Sequence, residues 1–539
     1  MTRQEEEGVV ARQSDGGSQP PARWRRWAIW MGIACLVLEV VYLVVGNLCI
    51  RMGVLENVIN YKPEGDFVAW ESGRTVVPGF ATFKGFTYRG QTRGSQIYVH
   101  LAQVNGRIGL IGLLSKTIDL RGVDGRDLEY RYRDRIDYPC WDEESGVPFP
   151  GTPTDIEYYP EIPGLQNPPD PKPEDIYSQE PGARPWAVKI SGAHVKGAVR
   201  VAYNAIRIDG EGSVKGGLTV VLKESSSIDK GKVRLVPATF TWGAKTLTDD
   251  LGLDADISVE PFPSNCAEMS EILGGTSGIL AFAGQNSKGF AVYVDAFEPL
   301  LPGQGMITVE SGTGELGGRL ELNGGHVMSG SLDLMADDIV LKRREVPIHG
   351  DLEIHATLND GDLTTGRFNI SGTTFRLDDI TKTGGSEKQQ EKLEPWYGHL
   401  EFEEGVLTFG TPMALDSHVR LKMHDTWPVL VLLRKFTNQL KWLSLTRNAK
   451  SIDGTMDLDF GKGFVAVEDL DLIGENVEIL GWVHLRDGQK YGRIFARHGA
   501  RSAGIAFDGG TSKVVTIGSR RWFEKQHRLA SDGDGQELR

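Results

Sequence analysis

Leu251-Gly252-Leu253-Asp254-Ala255-Asp256-Ile257-Ser258-Val259 decides the fold class. Every second residue is apolar, with glycine, aspartate or serine between. Period two is the repeat of a β-strand, whose successive side chains point to opposite faces. The segment therefore predicts a strand with one buried and one wet face. An amphipathic helix would space its apolar residues at three and four instead.

The same pattern runs outward in both directions. Upstream, Ile97, Val99 and Leu101 alternate with Tyr98 and His100, and Val104, Ile108 and Leu110 share one phase. Ile118 and Leu120 follow; Leu128, Tyr130 and Tyr132 then alternate with Glu129, Arg131 and Arg133. Further runs are Val188-Ile190, Val199-Val201-Tyr203, Ile206-Ile208, Val214 to Leu222 and Val233 to Trp242. Downstream they recur at Ile307-Val309, Leu320-Leu322, Leu332-Leu334, Leu352-Ile354 and Phe368-Ile370. The last block runs from Met456 through Val465, Val477, Ile479, Val483, Leu485, Ile494 and Ile505 to Thr516. Asn105-Gly106, Asp209-Gly210, Asn323-Gly324, Asp360-Gly361 and Asp508-Gly509 fall between runs, as hairpin turns with positive φ require. At about 12 residues per strand and turn the chain holds roughly 25–35 strands.

Five stretches break the rule. Residues 138–185 are acidic and dense in proline, which no ladder or helix tolerates, and read as a long linker or surface loop. Cys266 to Leu273 reads as a short helix. Thr426 to Arg447 carries Leu430, Leu433, Phe436, Leu440 and Leu443 at three and four, and reads as an amphipathic helix, packed on the sheet or lying on a membrane surface. Gly384 to Leu393 reads as a flexible loop, and the polar end beyond Phe523 as a frayed tail.

Near the start, Trp27 to Ile50 is almost wholly apolar. At ~1.5 Å per residue such a helix crosses a ~30 Å hydrocarbon core. Nothing later in the chain is as long and apolar, and Leu55 to Tyr61 continues the helix as far as Pro63. Arg23, Arg25 and Arg26 precede the run and only Arg51 follows it closely, so the positive-inside rule keeps the N-terminus cytoplasmic and exports the rest. A cleaved signal peptide is the rival; the run is long for one and Gly46 to Ile50 offers no small-x-small cleavage site. Glu39, mid-span, is either neutral or meets a partner helix.

The expected organisation is a disordered cytoplasmic tail (1–22), a transmembrane anchor (23–52), a first β segment (63–137), the Pro-rich acidic loop (138–185), central β repeats (186–425), the amphipathic helix (426–447), a C-terminal β segment (448–523) and a flexible tail (524–539). The fold class is mainly β: one N-terminal transmembrane helix, then an elongated, twisted, multi-stranded antiparallel sheet or groove with one or two short helices.

The 539 residues carry a formal net charge of −14, and no basic stripe with interleaved aromatics occurs, which argues against nucleic-acid binding. Cys35 and Cys49 lie in the span, leaving Cys140 and Cys266 as an exported pair, bridged or free. No nucleophile elbow, P-loop, HExxH, EF-hand or zinc spacing is present. His100, His194, His355 and His484 sit inside strand patterns, where wet-face positions suffice to explain them. No pair of carboxylates is picked out by spacing as a glycosidase pair. The chain reads as a non-enzyme without catalytic residues, metal or cofactor.

A long sheet with one apolar face, uncovered by a second sheet, shelters acyl chains at ~0.8 kcal/mol per CH₂. Val477, Ile479, Val483 and Leu485 are the candidate groove-lining residues. Particular segments strengthen this reading: Val77-Pro78-Gly79-Phe80, Arg89-Gly90-Gln91-Thr92, the strands from Val99 to Tyr132, Trp186-Ala187-Val188-Lys189-Ile190, and Val477 to Gly488. Together with the membrane helix they resemble AsmA-like proteins, relatives of TamB. The resemblance implies an inner-membrane anchor, a periplasmic β-groove, phospholipid acyl chains as partners and a role in outer-membrane biogenesis. The alternative is a non-enzymatic periplasmic scaffold, its sheets covering each other, that binds envelope proteins. An exported carbohydrate-active or other enzyme is the third reading.

Overall fold

A computed structural model describes residues 22–60, 65–92, 94–109, 112, 115–135, 156–167, 185–221, 224–263, 269–297, 308–343, 346–382, 396–409, 413–425, 450–461, 463–486 and 489–531. The chain is mainly β, with one large mixed sheet of 24 strands. The apolar run forms α1 (Ala22–Arg51), and α2 (Val54–Ile59) follows. Gly53 separates them at φ 68°, a left-handed conformation that glycine adopts without a Cβ penalty, so the helix breaks where the sequence suggested continuity.

The first strands are β1 (Asp66–Ala69), β2 (Ser72–Val77), β3 (Phe80–Gln91), β4 (Ser95–Gly109) and β5 (Thr117–Asp134). Then come β6 (Ala187–Tyr203), β7 (Ile206–Val221), β8 (Ser225–Trp242), β9 (Lys245–Pro263), α3 (Met269–Gly274), β10 (Thr276–Gln285) and α4 (Ala291–Phe297). Next are β11 (Thr308–Ser311), β12 (Glu315–Asn323), β13 (His326–Arg343), β14 (Val346–Asp362), β15 (Arg367–Asn369), β16 (Thr374–Lys382), β17 (Trp396–Thr408) and β18 (Ala414–Asp425). The series ends with β19 (Lys450–Gly461), β20 (Phe464–Gly474), β21 (Val477–Arg486), β22 (Gln489–His498), β23 (Arg501–Gly509), β24 (Thr511–Val515) and α5 (Ser519–Ser531).

Strands pair in chain order. β1 and β2 both lie against β3, and the ladder then runs to β24, with β11 and β12 sharing β13, and β15 and β16 bridging β14 to β17. At ~4.8 Å per strand this is on the order of 100 Å measured across the sheet. One pair departs from the expected antiparallel order: β5 and β6 are parallel, Thr117 opposite Ala187 and Tyr132 opposite Tyr203. A parallel pair needs a long return connection. The proline-rich stretch between β5 and β6 supplies it.

That stretch is not a loop throughout. Residues 156–167 bind one face of the sheet. Ile156–Tyr158 form one turn of 3₁₀ helix, and Ile162, 2% exposed, bridges to Leu165. Arg133 holds the segment, its guanidinium donating to Pro160 O at 3.0 Å, Leu165 O at 2.9 Å and Gln96 Oε1 at 2.7 Å. Gln96 donates to Gln166 O at 2.8 Å, and Arg131 and Arg89 reach Glu161 O and Pro163 O at 2.5 and 3.0 Å. A periodic apolar face was the signal sought for burial; here main-chain carbonyls on a planar fork do the same work.

The polar end of the chain is also ordered. α5 packs its Trp522 and Phe523 over β22 and β23. Phe523 lies 6.1 Å from the Phe495 ring, and a Cβ on Gly504 would stand 2.4 Å from Trp522. Glycine at 504 is what lets the indole approach. Arg520 pairs with Glu478 and Glu524 at 3.2 Å. Residues 524–531, expected as part of a frayed tail, thus belong to α5; the adjacent aromatics Trp522 and Phe523 were the sequence signal for it. α3 overlaps the short helix expected over Cys266 to Leu273 from Met269 onward and ends one residue later, at Gly274. The helix expected over 426–447, the loop over 384–393 and the Cys140–Cys266 question lie outside the described residues.

Two outcomes follow from this packing. Arg133→Ala leaves three acceptors unserved and should cost about 3 kcal/mol in urea melts. It should also open 156–167 to protease, and Arg133→Lys should not rescue, since one ammonium cannot span the fork. Phe523→Ala should release α5, so that trypsin cleaves at Arg520, Arg521 and Lys525 many times faster than in wild type. Unchanged digestion would mean that the Phe495 contact does not hold the helix.

Candidate functional site

Register shows what the alternation builds. Across the first strands Val99 faces Tyr130, Tyr130 faces Val201, Val201 faces Ile208 and Ile208 faces Phe240. In the middle, Phe282 meets Gly318, Gly318 meets Leu332, and Leu332 meets Ala356. Towards the end Leu400, Leu421, Gly454, Leu472, Ile479 and Ala496 stand in one row. Directly opposed residues share a face, so these rows form one apolar surface along the ladder.

Buried side chains on it gather into four clusters, each drawn from neighbouring strands of the ladder. α4 adds Tyr293 to one of them. Between the buried residues many apolar ones are only partly covered, among them Leu128, Val201, Val214, Leu253, Phe282, Leu320 and Leu332. No second sheet lies over this face among the described residues.

Val477, Ile479, Val483 and Leu485 all lie on this face, as their common parity in β21 requires. They are not equivalent. Val477 and Ile479, the latter 8% exposed, are packed with Trp396, Met423, Ile452 and Leu472, whereas Val483 and Leu485 are half-buried.

At the far end of β3 to β6 the apolar face terminates in hydroxyls. Tyr132 and Tyr203 stack with centroids 4.7 Å apart and planes 2° off parallel. Tyr132 Oη donates to Asp134 at 3.0 Å, Asn204 Nδ2 to Asp134 at 2.6 Å and Tyr88 Oη to Asp66 at 2.8 Å. Burial pushes the Tyr130 hydroxyl up to about 12 and lifts the Asp134 carboxyl above its ordinary range, against the hydrogen bonds from Asn204 and Tyr132.

The opposite face is charged. Lys232 pairs with Asp256, Arg234 with Asp254 and Arg420 with Asp453 across strands. The strand histidines mostly belong to this pattern: His355 meets Asp333, His484 meets Glu468 at 2.8 Å, and His194 stands 4.0 Å from Asp124. His100 meets the Thr87 hydroxyl at 3.1 Å. Each is a two-membered surface contact, and no group of three His, Cys, Asp or Glu side chains fit for a metal occurs among the described residues.

The open edge at the start of the sheet is closed by side chains of the helices. Asn47 donates to Thr75 O at 2.9 Å and accepts from Thr75 N at 3.0 Å, as a neighbouring strand would. Asn60 does the same for Val68 at 2.8 and 2.7 Å, and Glu56 accepts from Trp70 N at 3.2 Å. Tyr42 Oη lies 2.9 Å from Thr75 Oγ1. Tyr42 and Asn47 carry polar tips inside the apolar run Trp27 to Ile50, and that was the available signal; apolar content alone does not show what they meet. Arg23, Arg25 and Arg26 fall in the first turns of α1, which from Arg26 to Arg51 is long and apolar enough to cross a membrane.

No family model, no curated protein and no solved structure matches the chain.

The unequal burial along β21 has a measurable consequence. Ile479→Asp should cost about 4 kcal/mol, because the carboxylate lands in a packed row. Leu485→Asp should cost about 1 kcal/mol, its site being half open and opposite Lys490 in register. Equal losses in thermal and urea melts would show that the face is sealed from end to end.

Proposed function

We propose that this protein is a membrane-anchored envelope protein whose apolar sheet face carries phospholipid acyl chains, in lipid transfer that serves outer-membrane biogenesis. Its N-terminus lies in the cytoplasm, α1 makes a single pass through the inner membrane, and the sheet stands in the periplasm. The observation that carries the reading is the apolar surface that follows the ladder, with partly covered side chains and no second layer among the described residues. A row of such side chains shelters a chain at ~0.8 kcal/mol per CH₂ without any reactive group. The charges of Arg23, Arg25 and Arg26 support the orientation, and the resemblance to AsmA-like proteins points the same way.

Benzophenone-phenylalanine tests it when placed at Leu332 on the apolar face and at Glu353 on the charged face of the intact chain in cells. Irradiation should attach phospholipid at Leu332 and little at Glu353. Protein adducts at Leu332 in place of lipid would favour the scaffold reading and remove this one.

A further inference from the structure

We propose that the turn joining β2 to β3, Val76 to Phe80, is a wedge seated in the hydrocarbon of the membrane leaflet nearest the sheet. The inference rests on α1 spanning a membrane, which is part of the reading above, and goes beyond it in naming a second membrane contact.

Depth along α1 is the first step. Arg26 bars the hydrocarbon from starting earlier than Trp27. From there ~20 residues fill a ~30 Å core, which puts its far boundary near Gly46 and Asn47. A later start moves that boundary further on. Tyr42 therefore lies about 6 Å or more inside the core. Its hydroxyl accepts from Gly79 N at 3.3 Å and touches Thr75, so it holds the β2–β3 turn at the same depth.

The surface of the turn fits that place. Val76 and Val77 are 54% and 57% exposed, Phe80 is 37% exposed, and Pro78 is exposed as well. Ile108 N donates to Gly79 O at 2.6 Å, so β4 ends beside the turn. Exposed apolar side chains gathered at one tip mark a contact surface.

The polar groups of the turn are the second step. In hydrocarbon every backbone donor and acceptor needs a partner within the protein. The edge-facing N–H and C=O of Thr75 are taken by Asn47, and Thr75 Oγ1 donates to Phe80 O at 2.7 Å. Arg74 on β2, opposite Thr82, and Arg107 on β4, level with Phe80 in register, are both exposed, and their long aliphatic stems let the guanidinium groups reach towards the lipid phosphates.

The consequence is a mouth at the membrane. The apolar face next to the wedge carries Ile108 opposite Leu120, Leu120 opposite Ile190 and Ile190 opposite Leu218, all half-buried. With the tip in the leaflet this row meets acyl chains without intervening water.

The test uses the full chain in vesicles of phosphatidylethanolamine and phosphatidylglycerol, with benzophenone-phenylalanine at Val77, at Leu332, or at Thr511 in β24 at the other end of the ladder. Lipid adducts at Val77 should exceed those at Thr511 at least tenfold. Adducts at Val77 no higher than at Thr511 overturn the wedge; if Leu332 is still labelled, the acyl-carrying face survives alone. Labelling at Val77 without Leu332 keeps the wedge and removes the carrier. Val77→Asp should reduce labelling at Leu332 several-fold with the melting temperature unchanged, and undiminished labelling would show that lipid does not enter past the wedge.

Discussion

One main-chain ladder, paired strand by strand and with no second sheet over it among the described residues, is the constraint on which the rest of this molecule depends. A sheet in two layers hides its apolar faces against each other. A single layer must deal with one apolar face along its whole length. Here large side chains lie across bare backbone: a Cβ on Gly318 would stand 2.7 and 2.8 Å from Leu332 and Phe282. Such local closure forms clusters of neighbours and leaves partly covered residues between them, where a covering sheet would have left none.

A ladder also has two ends, and unpaired strand edges invite further strands. At the start the amides of Asn47 in α1 and of Asn60 at the end of α2 occupy the edge, so the long apolar helix is joined to the sheet by the same kind of hydrogen bonds that join strand to strand. At the finish α5 lies over β22 and β23, fastened by Phe523 on Phe495 and Arg520 on Glu478. Stability in such an array is close to one-dimensional, each strand leaning on its neighbours, and capping elements matter in proportion.

Much of this was legible in the sequence because alternation is a direct image of strand geometry. Leu251 to Val259 lies wholly in β9, and the four residues singled out in β21 share one face as their spacing requires. Spacing says which face a residue is on; it cannot say how well that face is covered, so the difference between Ile479 and Leu485 was invisible. The parallel β5–β6 pair was missed because pairing direction depends on where the chain returns. Residues 156–167 and α5 were missed for a related reason. Both are polar segments whose binding depends on partners far off in the chain, a buried guanidinium in one case and a glycine opposite an indole in the other.

The join between α1 and β2 has a mechanical meaning. A flexible linker would let the sheet tumble above the bilayer. Here Tyr42, Asn47 and Ile50 sit on one side of α1, and all three engage the sheet: Tyr42 and Asn47 at Thr75, and Ile50 against the bare backbone of Gly73, where a Cβ would stand 2.6 Å from it. Glu39 falls on the same side, three residues before Tyr42, and is half-buried there. Contacts spread over more than two turns fix an angle as well as a distance. The direction of α1 and the tilt of the sheet are therefore one variable; in the proposed membrane-anchored arrangement the tilt of α1 in the bilayer would fix that of the sheet. In that arrangement whatever sets the first, whether bilayer thickness or the exposed Trp24, Trp27 and Trp30 at the other end of the helix, would set how the apolar face meets lipid.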